Sequence, residues 1–542
     1  MKSNSFICVW CVVNIVSVIS LDIFTPIVHI NQGRLRGLRS LIGQNRYYGI
    51  PYAVSERFQP PQKSPKWKGM FNAVKRFNSC AQTVSFLKFG TEDCLELDVY
   101  TPGDAKAGQR LPVLIYIHGG GYYYGSKWQY DPEFLVAKKI VAVVINYRVG
   151  VCGFLCMNGV ANLGLKDQVA ALEWVKENIA AFGGDPDNVT ISGQSAGASS
   201  AAMHLLSKSS KGLFHKAILF SGHALTPWAF NVDPLRSALQ DAEKLARVTN
   251  GNNAFEVFQN ASVNDLLDTC RDTSINNRGF KYAPCVDSNF SEPFFHDTPY
   301  NIISSGDFNK VPIIEGYVDV EGILFYGLND EESLEKLDSD FIDRIPALFS
   351  TNNENVKEAI VKKFREHYFH NKRITKDLTR EIIRFYSDWL IYSTTDAFTN
   401  LMSKYSDEPV FKYMFSYEGE RNFAKFLFGP AGIDGACHSD DVFYIFKPAG
   451  LPLPISSEDR LFINRWTSML TNFMKFGDPT PQTTSLLPVR WPRTTTNNSL
   501  VMRLDHQLWV SETPTTHKGE FFLDLLCKYG MKGFVPCEPR DI

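Results

Sequence analysis

Six short apolar runs recur along the chain with helix-patterned segments between them, an alternation that few architectures accept. The runs are LPVLIYI (111–117), IVAVVINY (140–147), VTIS (189–192), KAILFS (216–221), VPIIEGYV (311–318) and PVFKYMF (409–415). They are apolar along most of their length rather than at every second position, as strands buried on both faces require. Between them, Leu165, Val169, Leu172, Val175, Ile179 and Phe182 recur at steps of three and four, which predicts a helix over 164–182 ended by GGDP. Further helices are expected over 376–400 and 458–476, the second stopped by Gly477 and Pro479. Together these patterns predict an α/β class with a mostly parallel central sheet flanked by helices. Such sheets hold their ligands at the carboxyl ends of the strands.

At 542 residues the chain exceeds the usual size of one core, but no repeat, low-complexity tract or charge run marks a linker. The simplest division is a secretory signal over 1–20 and one domain over 21–542. Residues 6–20 are largely apolar after Lys2, and Val18 and Ser20 have the spacing that a signal peptidase accepts. Asn14 interrupts the run and Asp22 closes it, which argues against a membrane anchor. The C-terminal KYGMKGFVPCEPRDI is neither a hydrophobic anchor signal nor a retention signal. A formal net charge of -2 offers no basic surface, so no nucleic-acid partner is expected. The expected location is extracellular.

Of eleven cysteines, Cys8 and Cys11 would leave with the signal, and an oxidising compartment makes several of the rest disulfide partners. Proximity suggests Cys80 with Cys94, Cys270 with Cys285, and Cys527 with Cys537; Cys437 has no evident mate. Cys152 and Cys156 sit in an apolar run and read as small buried hydrophobes. No histidine cluster accompanies the cysteines, so neither a metal nor a cofactor is expected. Glycosylation sequons occur at Asn188, Asn260, Asn289 and Asn497; Asn188 leads straight into a strand, where a glycan would crowd the fold.

One run, VTIS, ends in GQSAG and a small-residue stretch, AGASSAAMHLLS. Strand, G-x-S-x-G, helix is the nucleophile-elbow pattern: the glycines leave room for a sharp turn that presents Ser195. A serine hydroxyl is a weak nucleophile, so acyl transfer also needs a base, an acid to orient that base, and amide donors for an oxyanion. YIHGGGYYYG (116–125) begins at the end of a strand, and its glycines allow backbone amides close approach; Gly120, Gly121 and Ala196 are the expected donors. His438, in DGACHSDDVFYIF, is the candidate base, with His223 its rival. Glu321, in GYVDVEGILF, is the candidate acid, with Asp319 its rival. Tyr122, Tyr123, Gln194, Trp228 and Phe280 are candidate pocket residues, although the four aromatic ones also fit ordinary core packing.

These stretches, with GIPYA, RFQPP, EDCLELDVYTP, INYRVG and FMKFGDPTP, resemble the type-B carboxylesterase and cholinesterase family of α/β-hydrolases. The resemblance spans nearly all of the chain after residue 20. It implies the α/β-hydrolase fold and a small-molecule ester substrate. Ser195 becomes the nucleophile, Glu321 the acid, His438 the base, and Gly120, Gly121 and Ala196 the oxyanion donors. It also implies the Cys80–Cys94 disulfide. Cys270 matches one member of the family's usual second disulfide, but the upstream partner is missing, which leaves its pairing with Cys285 open.

Two departures bear on substrate. The residue before the serine is usually glutamate in the family and is Gln194 here, which removes a charge from the pocket floor. The Cys80–Cys94 loop has no tryptophan to hold a quaternary ammonium, so a choline ester is disfavoured. Arg57-Phe58, Asp167-Gln168, GQSAG, Glu321 and GACHSDD resemble the set found in insect juvenile hormone esterases and antennal esterases. The expectation is a general carboxylesterase for neutral apolar esters. The alternatives are a hormone, odorant or pheromone esterase, a lipase with a mobile lid, or an inactive adhesion or binding relative.

Overall fold

The computed structural model describes residues 23–84, 86–271, 280–341, 349, 353–512 and 519–537. The signal segment 1–20 lies outside these residues. A twelve-stranded sheet organises the chain. In chain order its strands are β1 (Ile23–Phe24), β2 (Leu38–Arg39), β3 (Asn45–Pro51), β4 (Glu96–Thr101), β5 (Leu111–Ile117), β6 (Val141–Ile145), β7 (Gly184–Gln194), β8 (Lys216–Phe220), β9 (Ile313–Val318), β10 (Val410–Phe415), β11 (Leu500–Leu504) and β12 (Leu508–Glu512). The spatial order follows the chain except that β6 lies between β4 and β5. From β6 to β11 every pairing is parallel, and the two edges are antiparallel.

The six apolar runs are β5 to β10. Their side chains divide between two core layers with a period of two: Val113, Ile115 and Ile117 enter one, Leu114 and Tyr116 the other. Burial on both faces explains why the runs lack alternation. Register brings the carboxyl ends level, with Ile117 opposite Gly193, Gln194 opposite Phe220, and Phe220 opposite Gly316. Whatever follows these strands shares one end of the sheet.

The helix expected over 164–182 forms as α1 (Leu163–Asn178) continued by a 3-10 turn (Ile179–Phe182), which Gly183 ends at φ +87°. The one expected over 376–400 is two α-helices, Thr379–Ser387 and Ser393–Tyr405, joined by a π turn over Asp388–Tyr392. The one expected over 458–476 spans Ser457–Phe476, with Ser456 capping the Asp459 amide and Gly477 ending it at φ +71°. Among the described residues no helix is long and apolar enough to cross a membrane.

Cys80–Cys94 and Cys527–Cys537 are disulfides, as expected. The third pairing corrects the sequence reading: Cys285 bonds Cys156, not Cys270, so Cys156 is no mere buried hydrophobe. Asn162 explains the choice, since its Nδ2 donates to the Cys285 carbonyl (2.9 Å) and its Oδ1 accepts from the Cys285 amide (3.0 Å). That clamp seats the Cys285 segment on the 156–162 loop. Cys270 instead accepts a hydrogen bond from the Val151 amide at 3.3 Å. Cys152, Cys270 and Cys437 are buried free thiols, and burial pushes Cys152 up to about 12 and Cys270 up to about 11. Asn260, Asn289 and Asn497 are exposed, whereas Asn188 lies within β7 and accepts from Lys216 Nζ at 2.6 Å.

Candidate active site

Ser195 stands between the end of β7 and the start of α2 (Ala196–Leu206), at φ +57° and ψ -125°. A non-glycine residue with positive φ is strained, and the neighbouring backbone holds it there. The Ser195 amide donates to the Phe220 carbonyl (2.8 Å), and the Ser195 carbonyl accepts from Ser199 (2.9 Å). The flanking glycines are needed for close approach. A Cβ on Gly193 would meet the Gly197 carbonyl carbon at 2.3 Å, and one on Gly197 would meet the Ile117 oxygen at 2.1 Å. Gln194 and Ala196 are buried, while solvent still reaches Ser195.

The loop after β5 runs beside this turn. Gly120, Gly121 and Tyr122 all have positive φ. The amides of Tyr123 and Tyr124 return to the Gly120 carbonyl, at 3.0 and 3.2 Å, while those of Gly120 and Gly121 have no partner among the described residues. The Ala196 amide opens α2 and so lacks an intrahelical acceptor. His118, which sequence reasoning passed over, fixes the loop's start. Its ring stacks on Tyr147 (centroids 4.4 Å), its Nδ1 donates to the Gly119 carbonyl (2.9 Å), and its own carbonyl accepts from Tyr147 Oη (2.8 Å). The HGGG spacing was the available signal for it.

Glu321 follows β9 and opens a short helix, Gly322–Gly327. Its Oε1 accepts from the Val318 amide (3.0 Å), and its Oε2 accepts from His438 Nδ1 (2.5 Å). Both side chains are buried. The rival acid, Asp319, does other work: its Oδ1 accepts from the Ala436 amide (2.7 Å) and tethers the His438 loop. Asp440 braces the same loop through the amides of Cys437 (2.8 Å) and Ala424 (2.9 Å). Asp441 accepts from Tyr413 Oη (2.7 Å), and burial pushes its carboxyl up to about 7.

The remaining ring nitrogen, His438 Nε2, meets Gln194 Nε2 at 2.9 Å. The Ser195 hydroxyl has no hydrogen bond among the described residues. Thus Ser195, Glu321 and His438, each more than a hundred residues from the next, are brought together beside the loop that follows β5. The rival base, His223, is not among them: it stacks on Phe398 (4.7 Å), and burial holds it down at about 3.

The profile of the carboxylesterase family matches residues 25–522. The chain belongs to the carboxylesterase family. It is 31% identical to esterase FE4 of Myzus persicae, over 93% of this chain and 95% of that one. It is 32% identical to a juvenile hormone esterase of Tribolium castaneum, over 84% of each chain. Among solved structures it superposes on juvenile hormone esterase from Manduca sexta with OTFP covalently attached, at a TM-score of 0.82 and 25% identity, covering 92% of this chain and 99% of that one. The fold is the α/β-hydrolase fold, and the activity is carboxylic ester hydrolysis.

In this carboxylesterase the aromatic candidates gather against the glycine loop that follows β5. Trp228 and Phe280 lie 5.7 Å apart, Tyr122 is 6.3 Å from Trp228, and Tyr123 is 5.9 Å from Phe280. Phe280 closes on Gly121, where an added Cβ would meet its ring at 3.0 Å. Of the set, Phe280 is the least buried. The motif residues Arg57, Asp167 and Gln168 hold the scaffold instead. Arg57 pairs with Glu92 (2.6 Å), Asp167 pairs with buried Arg148 (2.7 Å), and Gln168 bonds His204 (2.9 Å).

Proposed function

We propose that this carboxylesterase is a secreted serine esterase that hydrolyses neutral, apolar carboxylic esters through an acyl-enzyme on Ser195. One domain over 21–542 carries the activity once the 1–20 signal is removed. The observation that supports the reading most is the single ring of His438, bonded to Glu321 on one side and reaching the Ser195 turn on the other. In the first step Ser195 Oγ bonds the ester carbonyl carbon and its proton passes to His438 Nε2. The carbonyl oxygen becomes an oxyanion that the amides of Gly120, Gly121 and Ala196 can stabilise. Glu321 remains a carboxylate and stabilises the imidazolium. Collapse breaks the carbon–oxygen bond of the leaving alcohol, which takes the proton from Nε2. Water then repeats the sequence in place of serine and releases the acid.

Neutral substrates follow from Gln194, which puts an amide where a carboxylate would attract cations, and from the aromatic wall of Tyr122, Trp228 and Phe280. A juvenile hormone or odorant ester would enter the same site, and two of the relatives bear the name of the hormone esterase. Specificity constants for juvenile hormone, long-chain acetates and short naphthyl esters separate these readings. A spread under about tenfold, or 1.4 kcal/mol, supports a generalist, and a single ester preferred by far more supports a specialist.

A further inference from the structure

The Gln194 side chain joins two parts of the site. Its Oε1 stands against the oxyanion loop, 2.9 Å from where a Cβ on Gly119 would lie, and its Nε2 is 2.9 Å from His438 Nε2. The ring fixes this orientation chemically. Glu321 accepts a hydrogen bond from Nδ1–H, so in the neutral imidazole Nε2 carries a lone pair and needs a donor. The amide NH2 of Gln194 supplies it. That same lone pair must receive the proton of Ser195, the next residue in the chain.

We propose that Gln194 is a positioning residue for the base: its amide holds the His438 lone pair in the free enzyme and yields it to Ser195 when an ester fills the oxyanion loop. This rests on Ser195 and His438 being nucleophile and base. An N–H donor at Nε2 favours the neutral ring, while a carboxylate at the same place would favour the imidazolium. The other ionisable groups around the ring are Glu321 at Nδ1, Asp441 on the same loop with its Tyr413 partner, and the buried thiol of Cys437. Phe325 lies against the ring at 5.7 Å. Substitution at Gln194 leaves all of these in place.

The test is the pH dependence of kcat/KM for p-nitrophenyl acetate with the full chain, Gln194→Glu and Gln194→Met. Glutamate reverses the interaction, and methionine keeps the length without a donor. The acid limb of Gln194→Glu should move up by about one to three pH units, and that of Gln194→Met should move up by less. Thermal melting reports folding separately, and the methionine variant carries the test if the glutamate variant does not fold. Coincident limbs, or a limb moved to lower pH in Gln194→Glu, would overturn the proposal. If Ser195→Ala keeps its turnover, the underlying reading fails. If turnover depends on Ser195 and the limbs coincide, only the role of Gln194 fails.

Discussion

Asp319 holds the Ala436 amide at 2.7 Å, two residues before His438, while Glu321, two residues after Asp319, holds the His438 ring. One turn after β9 therefore fixes both the backbone and the side chain of the candidate base. Asp319→Ala should cut kcat/KM by about tenfold to a hundredfold by letting the ring drift, with little change in melting temperature. Asp319→Asn keeps the accepting oxygen and should stay near wild type. Equal losses in both variants would show that charge, not the tether, matters.

The Cys156–Cys285 disulfide closes a long loop, with a sequence separation of 129. Chain-entropy reasoning gives such a closure about 4 to 5 kcal/mol. Cys156→Ala with Cys285→Ala should lower the denaturant midpoint accordingly. Cys270→Ala should leave the disulfide map unchanged in peptide mass spectra, and a Cys270–Cys285 peptide in the wild type would contradict the structure.

Three buried histidines make the protein sensitive to acid. Burial holds His118 down at about 4, and His204 and His223 at about 3. Once unfolded, each would bind a proton near pH 6.5, so the unfolded state binds more protons below that pH. Stability should therefore be full above about pH 6.5 and fall as pH drops toward 3, each histidine adding up to about 1.4 kcal/mol per pH unit. His204→Gln should flatten the decline of melting temperature between pH 7 and 5. A wild-type curve level across that window would refute the sign.

The parallel sheet also buries Lys412 opposite Glu315, with Lys412 paired to Asp396. Burial lowers the amine to about 7 and raises the carboxyl. Lys412→Met alone should destabilise the fold by leaving the Asp396 carboxylate without its partner, and adding Asp396→Asn should restore most of the loss. Urea midpoints measure both, and additive losses would contradict the coupling.

How much of this was legible in the sequence depended on whether the determinant was local. β5 falls on its expected residues, and β8 to β10 begin and end within two residues of theirs, because apolar runs report strands buried on both faces. β7 reaches back to Gly184 through polar residues, since its pairing with Leu111 is set across the sheet and not by its own pattern. The antiparallel edge strands are short and carry little periodicity. Ser195 was legible from its glycines. The sequence already favours Glu321 over Asp319, and the folded loop adds the contacts that distinguish them, Glu321 on the His438 ring and Asp319 on the Ala436 amide. The Cys156–Cys285 pairing and the Gln194–His438 contact were hidden from the sequence. Each joins segments more than a hundred residues apart, and the nearest cysteine along the chain is not the nearest in space.

The proposed chemistry makes Ser195 the nucleophile, activated by His438 with Glu321. Peptide mass mapping after a fluorophosphonate probe tests it most directly. One stoichiometric adduct is expected on the peptide containing Ser195, none in Ser195→Ala, and labelling slowed by several powers of ten in His438→Ala. An adduct on another residue, or undiminished labelling without His438, would contradict it.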